Sequence, residues 1–575
     1  MTPDDPATGY GVPHPSPLPA NTASAETHEL AEKWILNCLE QHNCSELGTL
    51  PPRRSRRGTN GSQSQSQGHS QNQFADADDE LFADVVPARL IDLRAFGKDS
   101  EDARLIDVQG ECGDYVALSY CWGKEPLQKY TTTESRLGSM KKRIVHDDMP
   151  RTFRDAFAIT RKLGVRYVWI DGICIVQDSN DDWETESAKM GAIYGKAYVT
   201  VAADSSTNVH DGCFNQKSRN QIDDIPGLVK VPNVLVSKRT SRLYIYSTMY
   251  DLGVGHAASR SPFPIEHGHL SQRGWAFQER LLSPRTLHYT DRRLHWECRQ
   301  EYLSEDNMRF IKQEPISSVL SSLPNLRVVD ILSMWHSGIV MPYSKRHLSR
   351  ATDRLPALSG LAHLFSRYLS AAYIAGIWSE RIADGLAWYR SGTLPPRKLD
   401  GPSFTWSSQP TPVVCSTVMG NSRCSLADHS VVLAGQDPFG AVAAARLKMR
   451  CRLRRARVWI EPSDGEHLAS QTWVKAWMEH DDGGTPAEVS WDCLEESAER
   501  ERLDWTVFCL LLFKIGRRHT VLLLEQVDVA TPQIQKEEER PGPDAGTVFR
   551  RRGIAKFRSI ADWFNDGHKL SITLI

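Results

Sequence analysis

The stretch from Arg166 to Ala203 constrains the fold of this chain more than any other. Tyr167-Val168-Trp169-Ile170 is an apolar, β-rich run of the kind that forms a buried strand. It ends on Asp171-Gly172, and a second short apolar run, Ile173 to Val176, follows. Asp178, Asn180, Asp181 and Asp182 then gather oxygens that can accept from the free N–H groups of a helix start. From Trp183 the period lengthens. Trp183, Ser187, Met190 and Tyr194 share one helical face, with Glu184 and Lys189 off it. Gly195 predicts the stop, and Tyr198 to Ala203 predicts another strand. Strand, loop, helix, strand is a βαβ unit. In such α/β sheets ligands tend to sit beyond the carboxyl ends of the strands. Asp171 to Glu186 is therefore the first place to seek chemistry.

Around this unit the chain divides into six stretches. Residues 1–24, rich in Pro, Thr, Ala and Ser, are expected to be disordered, and 25–47 to hold an N-terminal helix with a Leu30, Trp34, Ile35, Leu39 stripe. Residues 48–84 read as a low-complexity linker, where Arg53, Arg54, Arg56 and Arg57 form a solvated basic run more readily than an import signal. Strands over Ala88–Leu93 and Tyr115–Tyr120, a helix from Pro150 to Leu163, β-hairpins over 221–250, a helix over Ser271–Arg285 and a strand pair over Leu287–Cys298 belong to an α/β domain at 85–290. Residues 291–410 read as a helical extension, with helices over Leu355–Tyr373 and Trp378–Trp388. Residues 411–575 read as β-rich. There Leu447, Met449, Cys451 and Leu453 alternate with Lys448, Arg450, Arg452 and Arg454, a strand with one solvated basic face.

Composition narrows the function classes. The chain has 575 residues, 40% of them hydrophobic, enough for two or three packed domains. A net charge of -2 gives no reason to expect nucleic acid as a partner. Twelve cysteines, none in a C-x-x-C pair, point to free thiols in a reducing compartment, and hence to the cytoplasm. The N-terminus has neither the basic head nor the apolar core of a signal peptide. The longest apolar run, Trp505–Ile515, is interrupted by Lys514 and is too short to span a membrane.

Metal chemistry finds little support at this level. Cys38-x-x-x-His42-x-Cys44 invites a zinc reading, but its spacing is not that of a common finger and no fourth ligand is in view. Two ordinary thiols at a helix end are the plainer expectation. His288 and His295 lie on opposite chain parities without a third ligand. No metal and no bound cofactor are expected.

Three blocks together resemble the heterokaryon-incompatibility (HET) domain of filamentous fungi. They are Tyr115-Val116-Ala117-Leu118-Ser119-Tyr120-Cys121-Trp122-Gly123; Val168-Trp169-Ile170-Asp171 through Cys174-Ile175, Gln177 and Asp182-Trp183 to Met190 and Tyr194; and Arg273-Gly274-Trp275 with Gln278-Glu279 and Leu282-Ser283-Pro284-Arg285. Further matches flank them, including Asp353-Arg354-Leu355-Pro356-Ala357-Leu358-Ser359-Gly360 and Phe404-Thr405-Trp406-Ser407. The resemblance implies a HET domain at 85–290 with a TIR-like parallel sheet. It also implies a role in fungal nonself recognition, an innate-immunity-like response in which fusion of unlike cells triggers programmed cell death.

Because some TIR-type domains cleave NAD, the resemblance also implies a possible chemistry. Trp183-x-x-Glu186 is similar to the Trp-x-x-Glu of those domains. Splitting the nicotinamide–ribose bond passes through an oxocarbenium-like state that one carboxylate can stabilise. Glu186 and Asp171 are the catalytic candidates, and Tyr120, Trp122, Asp178 and Trp183 the substrate-binding ones, with NAD as substrate. Each also has a structural alternative: the acids as helix or turn caps, the aromatics as core, and Glu279 as the partner of Arg273 or Arg285. The competing expectation is a non-catalytic module that self-associates, answers an activating protein partner and recruits the killer.

Overall fold

The computed structural model describes residues 19, 21–45, 85–124, 129–214, 229–236, 239–245, 268–291, 293–306, 320–393, 395, 399–416, 421–460, 472–480, 483–493, 504–527, 547–558, 563–564 and 569–575. The disorder expected up to residue 18 and the linker expected over 48–84 lie outside the described residues. The chain forms two compact units, residues 1–270 with 279–326, and 271–278 with 327–575.

The first unit is an α/β structure built on one eight-stranded sheet. In chain order its elements are α1 (Ala25–Gln41), β1 (Arg89–Asp92), β2 (Arg104–Asp107), β3 (Tyr115–Ser119), α2 (Glu134–Lys142), α3 (Arg151–Lys162), β4 (Tyr167–Trp169), α4 (Asp171–Cys174), α5 (Asn180–Lys196) and β5 (Val199–Ala202). The hairpin β6 (Val229–Val236) and β7 (Arg239–Ile245) follows, then α6 (Trp275–Leu282), of which residues 279–282 fall in this unit, β8 (Arg285–Tyr289), β9 (Leu294–Cys298) and β10 (Tyr302–Ser304). The sheet order is β10-β9-β8-β5-β3-β4-β1-β2. Its centre, β8, β5, β3 and β4, is parallel, and the strands on either side run antiparallel.

The central strands read as unbroken apolar runs because helices cover both faces of a parallel sheet. Every residue of β3 and β5 is buried. The βαβ unit forms as its sequence predicts. α5 buries Met190, Gly191 and Tyr194, and the Tyr194 hydroxyl donates to the Leu118 carbonyl at 3.0 Å. Trp169 meets the Tyr194 ring edge-on with centroids 5.6 Å apart. Burying side chains of this size stabilises the fold by about 1.5–3 kcal/mol each. α3 buries Phe153, Ala156, Phe157 and Thr160, and Gly164 turns the chain out of it at a φ of 75°.

Two local expectations change. The second apolar run begins as a single helical turn, Asp171–Cys174, before Val176 bridges to Thr132. The acidic cluster does not cap α5 in the expected way. Ser179 is the N-cap and makes no side-chain cap bond. Asp182 instead accepts from the Val176 N–H at 2.8 Å and pairs with Arg89, a stronger, charge-assisted partner.

In the second unit, a helical segment runs from Val328–Met334 through a π-helical Trp335–Val340 into Met341–Ser344. The long helices expected over 355–373 and 378–388 are not formed. In their place are a short turn at Pro356–Leu358, a helix at Ser359–Ser366, the hairpin β11 (Tyr373–Ile374) and β12 (Ile377–Trp378), and a turn of helix at Ile382–Leu386. The hairpin turns on Ala375 and Gly376, both at positive φ, and a Cβ on Gly376 would lie 2.9 Å from the Trp406 indole nitrogen. A continuous apolar run hides such breaks from periodicity.

The strand β13 (Trp388–Arg390) pairs with β14 (Val413–Cys415). The rest of the unit is β-rich: β15 (Ser425–Leu433), β16 (Val442–Ile460), β17 (Val474–His480), β18 (Gly483–Trp491), β19 (Asp504–Ile515), β20 (Arg518–Gln526), β21 (Val548–Arg558) and β22 (Lys569–Leu574). The order β16-β17-β18-β21-β20-β19 returns to β16, which closes a six-stranded barrel without free edges. Its core holds Val458, Met478, Val489, Trp491, Cys509, Val521 and Leu523. Leu447, Met449, Cys451 and Leu453 are buried, while Lys448 and Arg450 are exposed. Among the described residues, no helix is long and apolar enough to cross a membrane.

Candidate functional site

The four parallel strands of the first unit end at one rim. β3 runs into Tyr120-Cys121-Trp122, β4 into Asp171, and β5 into Asp204. Here the structure joins three of the residues nominated from sequence. The Trp122 indole N–H donates to Asp171 Oδ2 at 2.9 Å, and the Tyr120 ring stacks near-parallel to Trp122 at 6.5 Å. Trp122 and Asp171 are half-buried, while Tyr120 is buried with its ring edge-on to Phe153. Gly172 is needed beside them, since a Cβ there would lie 2.9 Å from the Tyr120 hydroxyl. Asp171 also receives the Gly172 N–H at 2.6 Å. The pair offers a flat aromatic surface beside a carboxylate, a combination that can hold a cationic or polar ring.

Glu186 does not open onto this surface. It is fully buried, with Oε2 accepting the Ala88 N–H at 3.0 Å and Oε1 paired with Lys189 Nζ at 2.7 Å. The neighbouring Arg89 donates to the Cys174 carbonyl at 2.7 Å and pairs with Asp182. Glu186 thus fastens the lead into β1 onto α5. Asp178 is exposed and accepts the Glu134 N–H at 2.8 Å, so it caps α2. Trp183 is half-buried in the first turn of α5. Glu279 receives the Ser119 hydroxyl, whereas Arg285 donates to the Tyr198 carbonyl and Ser45.

A polar network lay beyond sequence reasoning. Antiparallel pairing sets His288 opposite His295, one diagonal from Glu297. His288 Nδ1 lies 2.7 Å from Asp204, its Nε2 lies 3.1 Å from Glu297, and Glu297 pairs with Arg280 at 2.7 Å. Burial opposes the charge on His288, but Asp204 and then Glu297 outweigh it and raise its pKa. Burial pushes Glu297 up, yet Arg280 and His288 prevail and hold it down at about 2. All of these side chains except the half-buried Arg280 are sealed from solvent, so they make a structural ion network rather than an open site. Its only sequence signal was charged residues inside two apolar strands.

The family described as Heterokaryon incompatibility protein (HET) matches residues 115–279. Residues 115–279 are a HET domain. No curated protein and no solved structure matches the chain. The HET domain begins with β3 and contains the Trp122–Asp171 pair, Glu186 and the Ser119–Glu279 bond. Ala88 and Arg89, which close over Glu186 and Asp182, come from outside the matched residues. A cavity of about 870 Å³ lies in the second unit, lined by Trp477, Phe513, His519 and Phe557 with Lys475 and Lys556, and includes none of the nominated residues. The match over residues 115–279 suggests a role in heterokaryon incompatibility.

Proposed function

We propose that this chain is a heterokaryon-incompatibility effector that starts programmed cell death as a non-catalytic, self-associating module that recruits a further protein. The observation that supports this choice is the burial of Glu186. A carboxylate that serves a ribose or an oxocarbenium ion must reach it, and both oxygens of Glu186 are already engaged. The TIR-like kinship enters as a relation of fold, for which four parallel strands with intervening helices are the requirement. Assembly through the HET domain then supplies the signal, and no cofactor is needed.

A second reading keeps NAD as substrate and moves the chemistry to Asp171, with Trp122 as the ring-binding face. The half-exposed Trp122–Asp171 pair at the sheet rim favours it. Expression of the full chain in a fungal host separates the two. Viability, NAD content and oligomeric state are followed for wild type, Glu186→Gln and Asp171→Asn. The assembly reading expects death with NAD unchanged and the protein in large complexes. A fall in NAD before viability drops, abolished by Asp171→Asn, would replace it with the enzymatic reading.

A further inference from the structure

Cys38 and His42 lie one helical turn apart at the end of α1, and Cys44 follows where the chain leaves it. Cys298 closes β9, 256 residues from His42. α1 rests on this strand, with Trp34 and Trp296 ring centroids 6.5 Å apart. The three sulfur atoms and a ring nitrogen of His42 all lie within 4.8 Å of one another. Cys298 Sγ stands 3.5 Å from His42 Nδ1. Zinc bound tetrahedrally at its usual distances sets sulfur–nitrogen edges of about 3.5 Å and sulfur–sulfur edges of about 3.8 Å. The donors therefore already stand within roughly 1 Å of a zinc tetrahedron. We propose that Cys38, His42, Cys44 and Cys298 bind a structural zinc ion that clamps α1 to β9.

A second observation points the same way. Arg299 is 2% exposed and donates only to carbonyls, those of Cys44 and Leu282. Arg285 is 5% exposed and donates to the Tyr198 carbonyl and Ser45 Oγ. Neither has a carboxylate partner among the described residues, and a buried cation without a counter-charge is costly. The groups beside them that can become anionic are the cluster's thiols. On binding Zn²⁺ the three thiols release three protons and neutral His42 completes the set, leaving a net charge of −1 beside the two guanidiniums. No redox change is involved. Four protein ligands leave no open position, so the ion is structural rather than catalytic. Cys38, Cys44 and Cys298 are buried, and His42 is half-buried.

Full-length protein, purified under reducing conditions without chelator, provides the test. Plasma mass spectrometry should find about one zinc per chain. Cobalt exchange should give thiolate-to-cobalt charge-transfer bands and the d–d bands of a tetrahedral site. Cys298→Ser and His42→Ala should lose most of the metal, whereas Cys112→Ser, outside the cluster, should keep it. Should the cluster variants not fold, wild type titrated with a strong chelator still reads out the site through zinc release and a fall in Tm. Soluble, folded protein that carries no zinc and takes up no cobalt would overturn the proposal. So would undiminished zinc in Cys298→Ser, or a disulfide among the three cysteines found in the intact mass.

Discussion

The two units treat a buried arginine differently. In the β-rich unit, Arg551 is wholly buried and meets Asp492 through two bonds, at 2.9 and 3.2 Å. It also donates to the Leu386 and Trp388 carbonyls and lies 3.4 Å over the Trp388 ring. In the α/β unit, Arg299 is equally sealed but has cysteines where Arg551 has a carboxylate. The contrast teaches what to look for. A buried cation needs a counter-charge, and where none is formed by an acid, ionised thiols with a bound metal supply it.

The strongest way to sharpen this comparison is to remove the acid. Asp492→Ala should destabilise the β-rich unit by about 3–5 kcal/mol, since Arg551 is left buried and unbalanced. Denaturant unfolding followed by tryptophan fluorescence measures it, and a loss under about 1 kcal/mol would break the comparison. Next comes Arg299→Met, which removes the charge beside the proposed zinc site. Zinc affinity should fall about ten- to a hundredfold in a chelator competition. A smaller effect is expected at Glu186, a buried acid balanced by a surface lysine. Glu186→Ala orphans the Ala88 N–H and should cost about 1–3 kcal/mol, whereas Glu186→Gln keeps an acceptor there and should cost less.

The subtlest test uses pH on the His288 network. Because the folded state raises the His288 pKa, its stabilisation is complete below the unfolded value of 6.5 and is lost as pH rises through the folded value. Because Glu297 is lowered from 4.5 to about 2, its stabilisation is present above 4.5 and is lost as pH falls toward 2. The network therefore contributes most between 4.5 and 6.5. His288→Gln should flatten the alkaline side of the stability–pH curve in thermal melts. An unchanged curve would mean that His288 is neutral in the folded protein.

Much of the α/β unit was legible in the chain, for a local reason. Strand and helix periods, Pro150 before α3 and the apolar runs of β3 and β5 act over a few neighbours. The helices expected over 355–388 failed because unbroken apolar runs carry no period, and the turn at Ala375-Gly376 divides them. At the rim, the sequence put Trp122 and Asp171 each beyond a strand, and parallel pairing of β3 with β4 brought them together.

The sequence by itself determined the βαβ core and the family blocks, because both are written in contiguous residues. Only the tertiary structure decided what the charged and sulfur-bearing side chains do. Glu186 is closed off by Ala88, roughly a hundred residues before it, and Cys298 joins Cys38, His42 and Cys44 across 256 residues. Burial and proximity set those roles, and the packing of α1 on β9 and of β1 against β4 creates both.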